Sequence, residues 1–368
     1  MKYKELDTPA LLINRDIMMK NLESMQQYAN ENKVGLRPHT KTHKIPEISI
    51  IQEKLGARGI TVAKLGEAEV MAESGLQDIF IANQVVGRQK IERIRELSDT
   101  IEISFGIDDP RQLPDIEKIF EGSKKKAKVV IEIEVGEERS GIIEESDFII
   151  LLDELKKCNN IELKGIFSHD GHSYMAENLE ECRDIFYTSV ARTLRFSELA
   201  SENGLHLEVV SIGSTPSLLQ GYDIPTGVTE IRPGTYVFMD ASQANVISSY
   251  DQCAATILTT VISKPTRERV ITDVGAKGIT AQTRSKGITK TTGLGCIKDY
   301  DEVYIYDVYD EHAIIYNEKF SNEVNIGDKV EIIPNHICPV CNLHEKAYLI
   351  SEGEVVEEYE VKGRGKLQ

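Results

Sequence analysis

The stretch GITVAKLGEAEVMAESGLQDIFIANQVVGRQKIERIRELSDTIEISFGID, residues 59–108, changes period four times. GITVAKL (59–65), DIFIANQV (78–85) and IEISFGID (101–108) are short apolar runs bounded by polar residues. Between them, LGEAEVMAESG and RQKIERIRELS carry apolar residues three and four apart, the spacing of a helix with one buried face. Strand and helix in strict alternation imply parallel strands joined by right-handed crossovers. The same unit recurs on both sides. VGLRPHTK (34–41) precedes the stretch, with IPEISIIQEKLG as its helix; KVVIEIEVG (128–136), IELKGIFSH (161–169), LEVVSIG (207–213) and EIRPGTY (230–236) follow it. Eight such strands within about 200 residues fit an α/β fold of the closed (β/α)8 barrel type. A doubly wound open sheet is the competing arrangement, and the count of eight units favours closure. No GxGxxG follows the first strand, which removes the usual dinucleotide reading.

After about residue 245 the texture changes. AATILTTVISKP, ERVITDVGAKGIT, DEVYIYDVYDEHAIIYN, GDKVEIIPNH and EVVEEYEVKG are β-rich and separated by Gly, Pro and Asp turns, the pattern of an antiparallel β domain. The expected division is a barrel over residues 12–244 and a β domain over 245–368. With 368 residues, the chain is long enough for one large and one smaller domain. Its 60 acidic against 43 basic side chains leave a net charge of −17, which argues against nucleic acid or an anionic membrane as partner. No apolar run reaches the roughly 20 residues of a membrane span, and the N-terminus has no leader-like apolar segment. The six cysteines are mostly far apart, so a disulfide framework is not expected and a cytoplasmic location is.

In a parallel barrel, chemistry collects at the C-terminal ends of the strands. The first strand ends in RPHTKTHK (37–44), which packs Arg37, His39, Lys41, His43 and Lys44 into eight residues of an otherwise acidic chain. That is either a solvated basic loop or a site for an anionic ligand. A lysine crowded by other cations has a lowered pKa and can form a Schiff base with an aldehyde. The seventh strand ends in Gly213-Ser214-Thr215-Pro216, which opens a helix. Backbone N–H groups and hydroxyls there suit a phosphate, although the same residues make an ordinary helix cap. A Schiff-base lysine and a phosphate loop in one barrel mouth suggest pyridoxal phosphate. His169, Asp170, His172 and Tyr174 follow strand six, Arg139 follows strand five, and Arg232 and Tyr236 belong to strand eight. Their convergence on one rim is what a catalytic barrel presents. In PNHICPVCN (334–342), His336 and Cys338 stand at i and i+2, which on a strand puts both on one face. Imidazole plus thiolate suits Zn2+ with open coordination positions. The Cys338-x-x-Cys341 spacing also admits a redox pair or no special role.

Taken in order, RPHTKTHK, RSG, HDGHSY, GSTP, RPGTYVF and PNHICPVCN resemble the metal-activated D-serine dehydratase and D-threonine aldolase family, pyridoxal phosphate enzymes related to alanine racemase. The match covers nearly the whole chain. It implies an alanine racemase-like barrel and a C-terminal β domain joined by the opening strand, the run TPALLIN, with residues 1–11 assigned to the β domain. It also implies a homodimer. The resemblance makes Lys41 the cofactor lysine and His336 and Cys338 the pair for zinc or another divalent metal. Dehydratases of this family carry His-x-Cys where aldolases tend to carry His-x-Asp, and Glu134 stands where members more often have Asp. The expected reaction is elimination of water, then ammonia, from a D-3-hydroxy amino acid such as D-serine. Lys41 moves the Cα proton, Gly213, Ser214 and Thr215 hold the phosphate, and His39, Arg139, His169, Tyr174 and Tyr236 complete the cofactor site. The alternative is retro-aldol cleavage of a D-threonine-like substrate, with an amino-acid racemase third.

Overall fold

The computed structural model describes residues 1–368 and divides into two compact units. One comprises Met25–Lys41, Pro46–Gly234 and Lys366–Gln368; the other comprises Met1–Ser24, Thr42–Ile45 and Thr235–Gly365. The first strand of the chain, β1 (Ala10–Asn14), belongs to the second of these.

The larger unit holds eight parallel strands: β2 (Gly35–Leu36), β3 (Ile60–Val62), β4 (Asp78–Gln84), β5 (Glu102–Ile107), β6 (Ala127–Ile133), β7 (Ile161–Ser168), β8 (Val209–Ile212) and β9 (Glu230–Ile231). Their spatial order is β2-β9-β8-β7-β6-β5-β4-β3. The two ends of that order meet: His39 bridges Thr61 in parallel, Thr61 N donates to Pro38 O at 2.9 Å, and Arg58 N donates to Leu36 O at 2.8 Å. The sheet is therefore a closed barrel. Ile79 and Ile81 of β4 join the layer beneath the outer helices, while Phe80 between them packs with Val130 and Phe167 in a separate cluster. This is the alternation that a pleated strand imposes. The Phe80 and Phe167 rings meet edge to face at 5.1 Å. At Gly165 a Cβ would lie 1.9 Å from Val209 O, so the approach of β7 to β8 admits no side chain there.

Strands one and eight of the barrel are shorter than their apolar runs suggest. Each is followed at once by Arg-Pro, Arg37-Pro38 and Arg232-Pro233, and a proline has no N–H to give the ladder. Beyond Pro38 the chain curls into the 3-10 turn Thr40–Thr42.

The smaller unit contains β10 (Ala255–Ser263), β11 (Arg269–Thr272), β12 (Gly295–Ile297), β13 (Ile305–Val308), β14 (Ala313–Tyr316), β15 (Lys329–Pro334), β16 (Lys346–Ser351) and β17 (Glu354–Glu360). With β1 they form one nine-stranded sheet. The expectation of a wholly antiparallel domain needs one correction: β1 lies between β10, to which it is antiparallel, and β16, to which it is parallel. No hairpin constrains β1, because it arrives from the far end of the chain. Its run ALLIN is continuous rather than alternating, and Leu11, Leu12 and Ile13 are fully buried. All six cysteines are free thiols. No helix is long and apolar enough to cross a membrane.

Candidate active site

A cavity of about 340 Å³ opens in the barrel unit, lined by His39, Lys41, Arg139 and His169 among the sequence candidates. Gln84, Glu132, Phe167 and Arg232 line it too. Of the cationic cluster 37–44, only His39 and Lys41 reach this cavity. Arg37 instead runs to the opposite set of strand ends, where it binds Glu230 Oε2 through Nε (2.8 Å) and Asp78 through both terminal nitrogens (2.7 and 3.1 Å). Lys44 belongs to the other compact unit, and its Nζ donates to Asn342 Oδ1 at 2.9 Å. The expected crowding of Arg37 and Lys44 around Lys41 is thus overturned. Arg37 finds two carboxylates elsewhere, and Lys44 follows a turn that takes the chain into the other unit.

His39 is buried, and its Nδ1 faces the backbone N–H of Lys41 at 3.4 Å. Burial first, then the charges of Lys41, Arg232 and His169, hold its pKa well below the usual histidine value, so the ring is neutral. Arg232 is wholly enclosed. It donates to Ser211 Oγ (2.5 Å) and Ser168 O (2.7 Å), and it lies over the Phe167 ring at 5.2 Å. Burial pulls its pKa down to about 10, against the charges of Glu230 and Glu132, which leaves it a cation at neutral pH. Glu132 accepts from Gln84 Nε2 and from Ser140 Oγ (2.9 Å), with Arg139 Nη2 at 3.6 Å. Glu137 sits against His169 Nδ1 (3.0 Å) and Arg139 Nη1 (3.3 Å). Burial alone would raise the Glu137 pKa, but the hydrogen bond and charge of His169, with Arg139 and Lys41, hold it below the ordinary carboxylate value.

The GSTP segment lies beside this cavity rather than on its lining. Gly213 has φ +132, a region open to glycine, and a Cβ there would sit 3.1 Å from Leu218 Cδ1 and 3.2 Å from Arg232 N. Ser214 Oγ is 3.1 Å from Ser173 Oγ and 3.2 Å from Ser217 Oγ, and Ser217 donates to Asp170. Thr215 Oγ1 accepts from Gly234 N at 3.3 Å. Tyr174 stands in the turn Gly171–Met175, beside Ser173 in the chain. Tyr236 falls in the other compact unit, 2 % exposed. The residues the sequence reading did not single out, Gln84 and Glu132, sit at or near the C-terminal ends of β4 and β6. Polar side chains in such runs are the only signal that could have found them.

In the smaller unit, His336 and Cys338 are not on a strand. β15 ends at Pro334, His336 caps the short helix Ile337–Cys341, and Cys338 is its second residue. Two-residue spacing on a strand therefore does not explain their pairing. The helix also supplies the element after PNH that sequence reading did not see. The Cys338 thiol lies 3.3 Å from Thr42 Oγ1 and 3.7 Å from Thr235 Oγ1. His336 Nδ1 has Gln282 Oε1 at 3.1 Å and Arg284 Nη2 at 3.4 Å. No third His, Cys, Asp or Glu completes a metal cluster. One imidazole, one thiol and adjacent hydroxyls fit a divalent metal that keeps open positions for water or substrate. The cavity beside Lys41, with its cations and the glycine cradle at 213, likewise fits an anionic aldehyde cofactor.

A closed parallel barrel with a lysine at its mouth, followed by a separate β sheet, defines an alanine racemase-like architecture. Residues 13–242 match the alanine racemase N-terminal domain and residues 254–350 match a serine dehydratase domain, so the chain belongs to the alanine racemase-like family of pyridoxal phosphate-dependent lyases. It is 29% identical to a D-threonine aldolase of Arthrobacter sp. over 98% of this chain and 93% of that one. It is 26% identical to the D-serine dehydratase of Dictyostelium discoideum over 94% of each. Among solved structures, the D-threo-3-hydroxyaspartate dehydratase of Delftia sp. HT23 superposes with a TM-score of 0.90 at 26% identity, covering 98% of both chains. Two variants of a D-threo-3-hydroxyaspartate dehydratase, one a metal-free form with a cysteine replaced by alanine and one with the histidine two positions earlier replaced by alanine, superpose with TM-scores of 0.91 and 0.92.

Proposed function

We propose that the protein eliminates water from a D-3-hydroxy amino acid, D-serine first among candidates, and releases a keto acid and ammonia. The observation that carries this is Lys41 in a cavity beside a neutral histidine and a buried arginine, in a chain whose other unit bears His-x-Cys. The spacing equals that of the histidine and cysteine replaced in the solved dehydratase variants. When bound, pyridoxal phosphate supplies an electron sink for charge developing at Cα, and a divalent metal such as zinc supplies Lewis-acid assistance to the departing hydroxyl.

Everything else falls to the chain. Lys41 Nζ holds the cofactor aldehyde and moves the Cα proton. His39 Nδ1 accepts the Lys41 backbone N–H and so fixes the start of the turn that presents the lysine. Arg232 brings a positive charge that cannot wander, since Ser168 O and Ser211 Oγ hold two of its nitrogens. Arg139, poised between Glu132 and Glu137, offers its remaining donors to an anionic group. Gly213, Ser214 and Thr215 would receive the phosphate, with Tyr174 and Tyr236 completing the cofactor site, and His336 and Cys338 would hold the metal. We further propose a barrel domain and a β domain that includes the opening strand, a homodimer, and a cytoplasmic location. The −17 charge favours a small substrate over nucleic acid or membrane.

Borohydride reduction of the protein mixed with pyridoxal phosphate should attach the cofactor to Lys41, read by peptide mass, and Lys41→Ala should lose both label and turnover. Turnover retained in Lys41→Ala would refute the assignment. The second reading, an aldolase, is favoured by the Arthrobacter relative. D-threonine decides between them: 2-oxobutyrate means elimination, glycine with acetaldehyde means cleavage. Activity that survives chelator would favour a racemase.

A further inference from the structure

Asp240 is fully buried in the smaller unit and serves two helices at once. Its Oδ1 accepts from Gln243 N (2.9 Å) and Ser242 Oγ (2.7 Å), capping the helix Ala241–Ile247. Its Oδ2 accepts from Ile337 N at 3.0 Å, and Ile337 is the first residue of the helix that carries Cys338. The cap residue of that helix is His336, whose own side chain makes no capping hydrogen bond. A carboxylate from nearly one hundred residues away does that work instead. The His336–Cys338 backbone therefore has its one intervening N–H fixed by a fully buried side-chain acceptor that is itself held by the neighbouring helix.

We propose that Asp240 is the positioning residue of the His336–Cys338 pair: it sets the cap-to-helix geometry that lets an imidazole and a thiolate two residues apart face one divalent ion. This rests on the metal reading given above. In a pair with no third protein ligand, the geometry of two side chains must supply all the chelate preorganisation, so the residue that fixes their shared backbone matters more than in a closed four-ligand site. Asparagine cannot replace it. Its single carbonyl oxygen can serve Gln243 N or Ile337 N, but the amide nitrogen accepts from neither.

The test uses the full-length protein and zinc alone, with affinity measured by competition against a chromophoric chelator and stability measured by thermal melting. Asp240→Asn should bind zinc about 10- to 100-fold more weakly than the parent. Asn317→Ala is the matched control. It removes the cap of the helix Glu318–Glu323 in the same unit, where Asn317 Oδ1 accepts from Phe320 N at 2.9 Å. It should lower the melting temperature and leave zinc affinity unchanged. A folded Asp240→Asn protein with zinc affinity within twofold of the parent would overturn the proposal and leave the metal reading standing. A parent protein that does not bind zinc, or a His336→Ala variant that binds it unchanged, would overturn both. Should Asp240→Asn not fold, hydrogen exchange on the parent still decides. Adding zinc should slow exchange in segments 240–247 and 335–341 together, and protection confined to 335–341 would contradict the coupling.

Discussion

His39 shows how one residue's surroundings set both its chemistry and a measurable property of the whole chain. Its folded pKa lies well below the value it has in an unfolded chain, because burial first, then its electrostatic interactions with Lys41, Arg232 and His169, oppose a charge. A group with a depressed pKa stabilises the fold above its unfolded pKa and loses that contribution as pH falls. Stability should therefore decline on acidification below about pH 6.5, with a slope approaching about 1.4 kcal/mol per pH unit for each such histidine. His344, half-buried and bonded to Gly278 O at 2.8 Å, is depressed in the same direction. His39→Gln should remove part of the slope between pH 5 and 6.5 in urea melts, and an unchanged slope would show that His39 is not the source. PHTK announced His39 and Lys41 in the sequence. Which way Arg37 would turn was not legible there, since its carboxylate partners lie 41 and 193 positions away.

Among the elements, the alternation of periods made the barrel readable, because each strand and helix is short and its pattern local. The element around His336 was not readable for the opposite reason. NHICPVC is apolar, brief and without helical period, and a capped helix of five residues leaves no pattern to detect. β1 joins β16 through contacts more than 300 positions apart, which local pattern cannot encode. The pairing of β2 with β9 has an energetic consequence of its own. Glu230 of β9, almost completely enclosed, accepts from Arg37 Nε and Ser211 Oγ (2.7 Å), and Ser211 in turn accepts from Arg232. Arg37 and the hydrogen bonds overcome the effect of burial and keep the Glu230 pKa below the ordinary value, so the carboxylate is charged. Glu230→Gln leaves two arginines short of their shared countercharge. It should cost about 3–5 kcal/mol in urea unfolding, and a loss under 1 kcal/mol would mean the arginines find other partners.

On the scale of the barrel as a whole, the end opposite Lys41 encloses about 430 Å³, lined by Arg37, Asp78, Glu102, Lys128, Lys164 and Glu208 among others. Lys125 and Lys128 bind Glu102 and draw its pKa down to about 2, and Lys164 binds Glu208. Because its pKa is depressed, Glu102 supports the fold above about pH 4.5 and loses that support as pH falls toward 2. Acid unfolding of the parent should begin in that window. In Glu102→Gln the loss between pH 4.5 and 2 should be smaller, and an identical acid profile would exclude this residue. These pairs are solvent-accessible, so salt should weaken them.

Of these two cavities, the larger is thus the one without Lys41. A search for small-molecule inhibitors guided by volume would begin at the end whose charges are already committed to one another. A compound lodged there would have to displace ion pairs that hold strand starts together, and its effect would show in melting temperature before it showed in turnover. The smaller mouth, with a neutral imidazole, a fixed guanidinium and a lysine amine, is where a carbonyl-bearing ligand would find chemistry to engage.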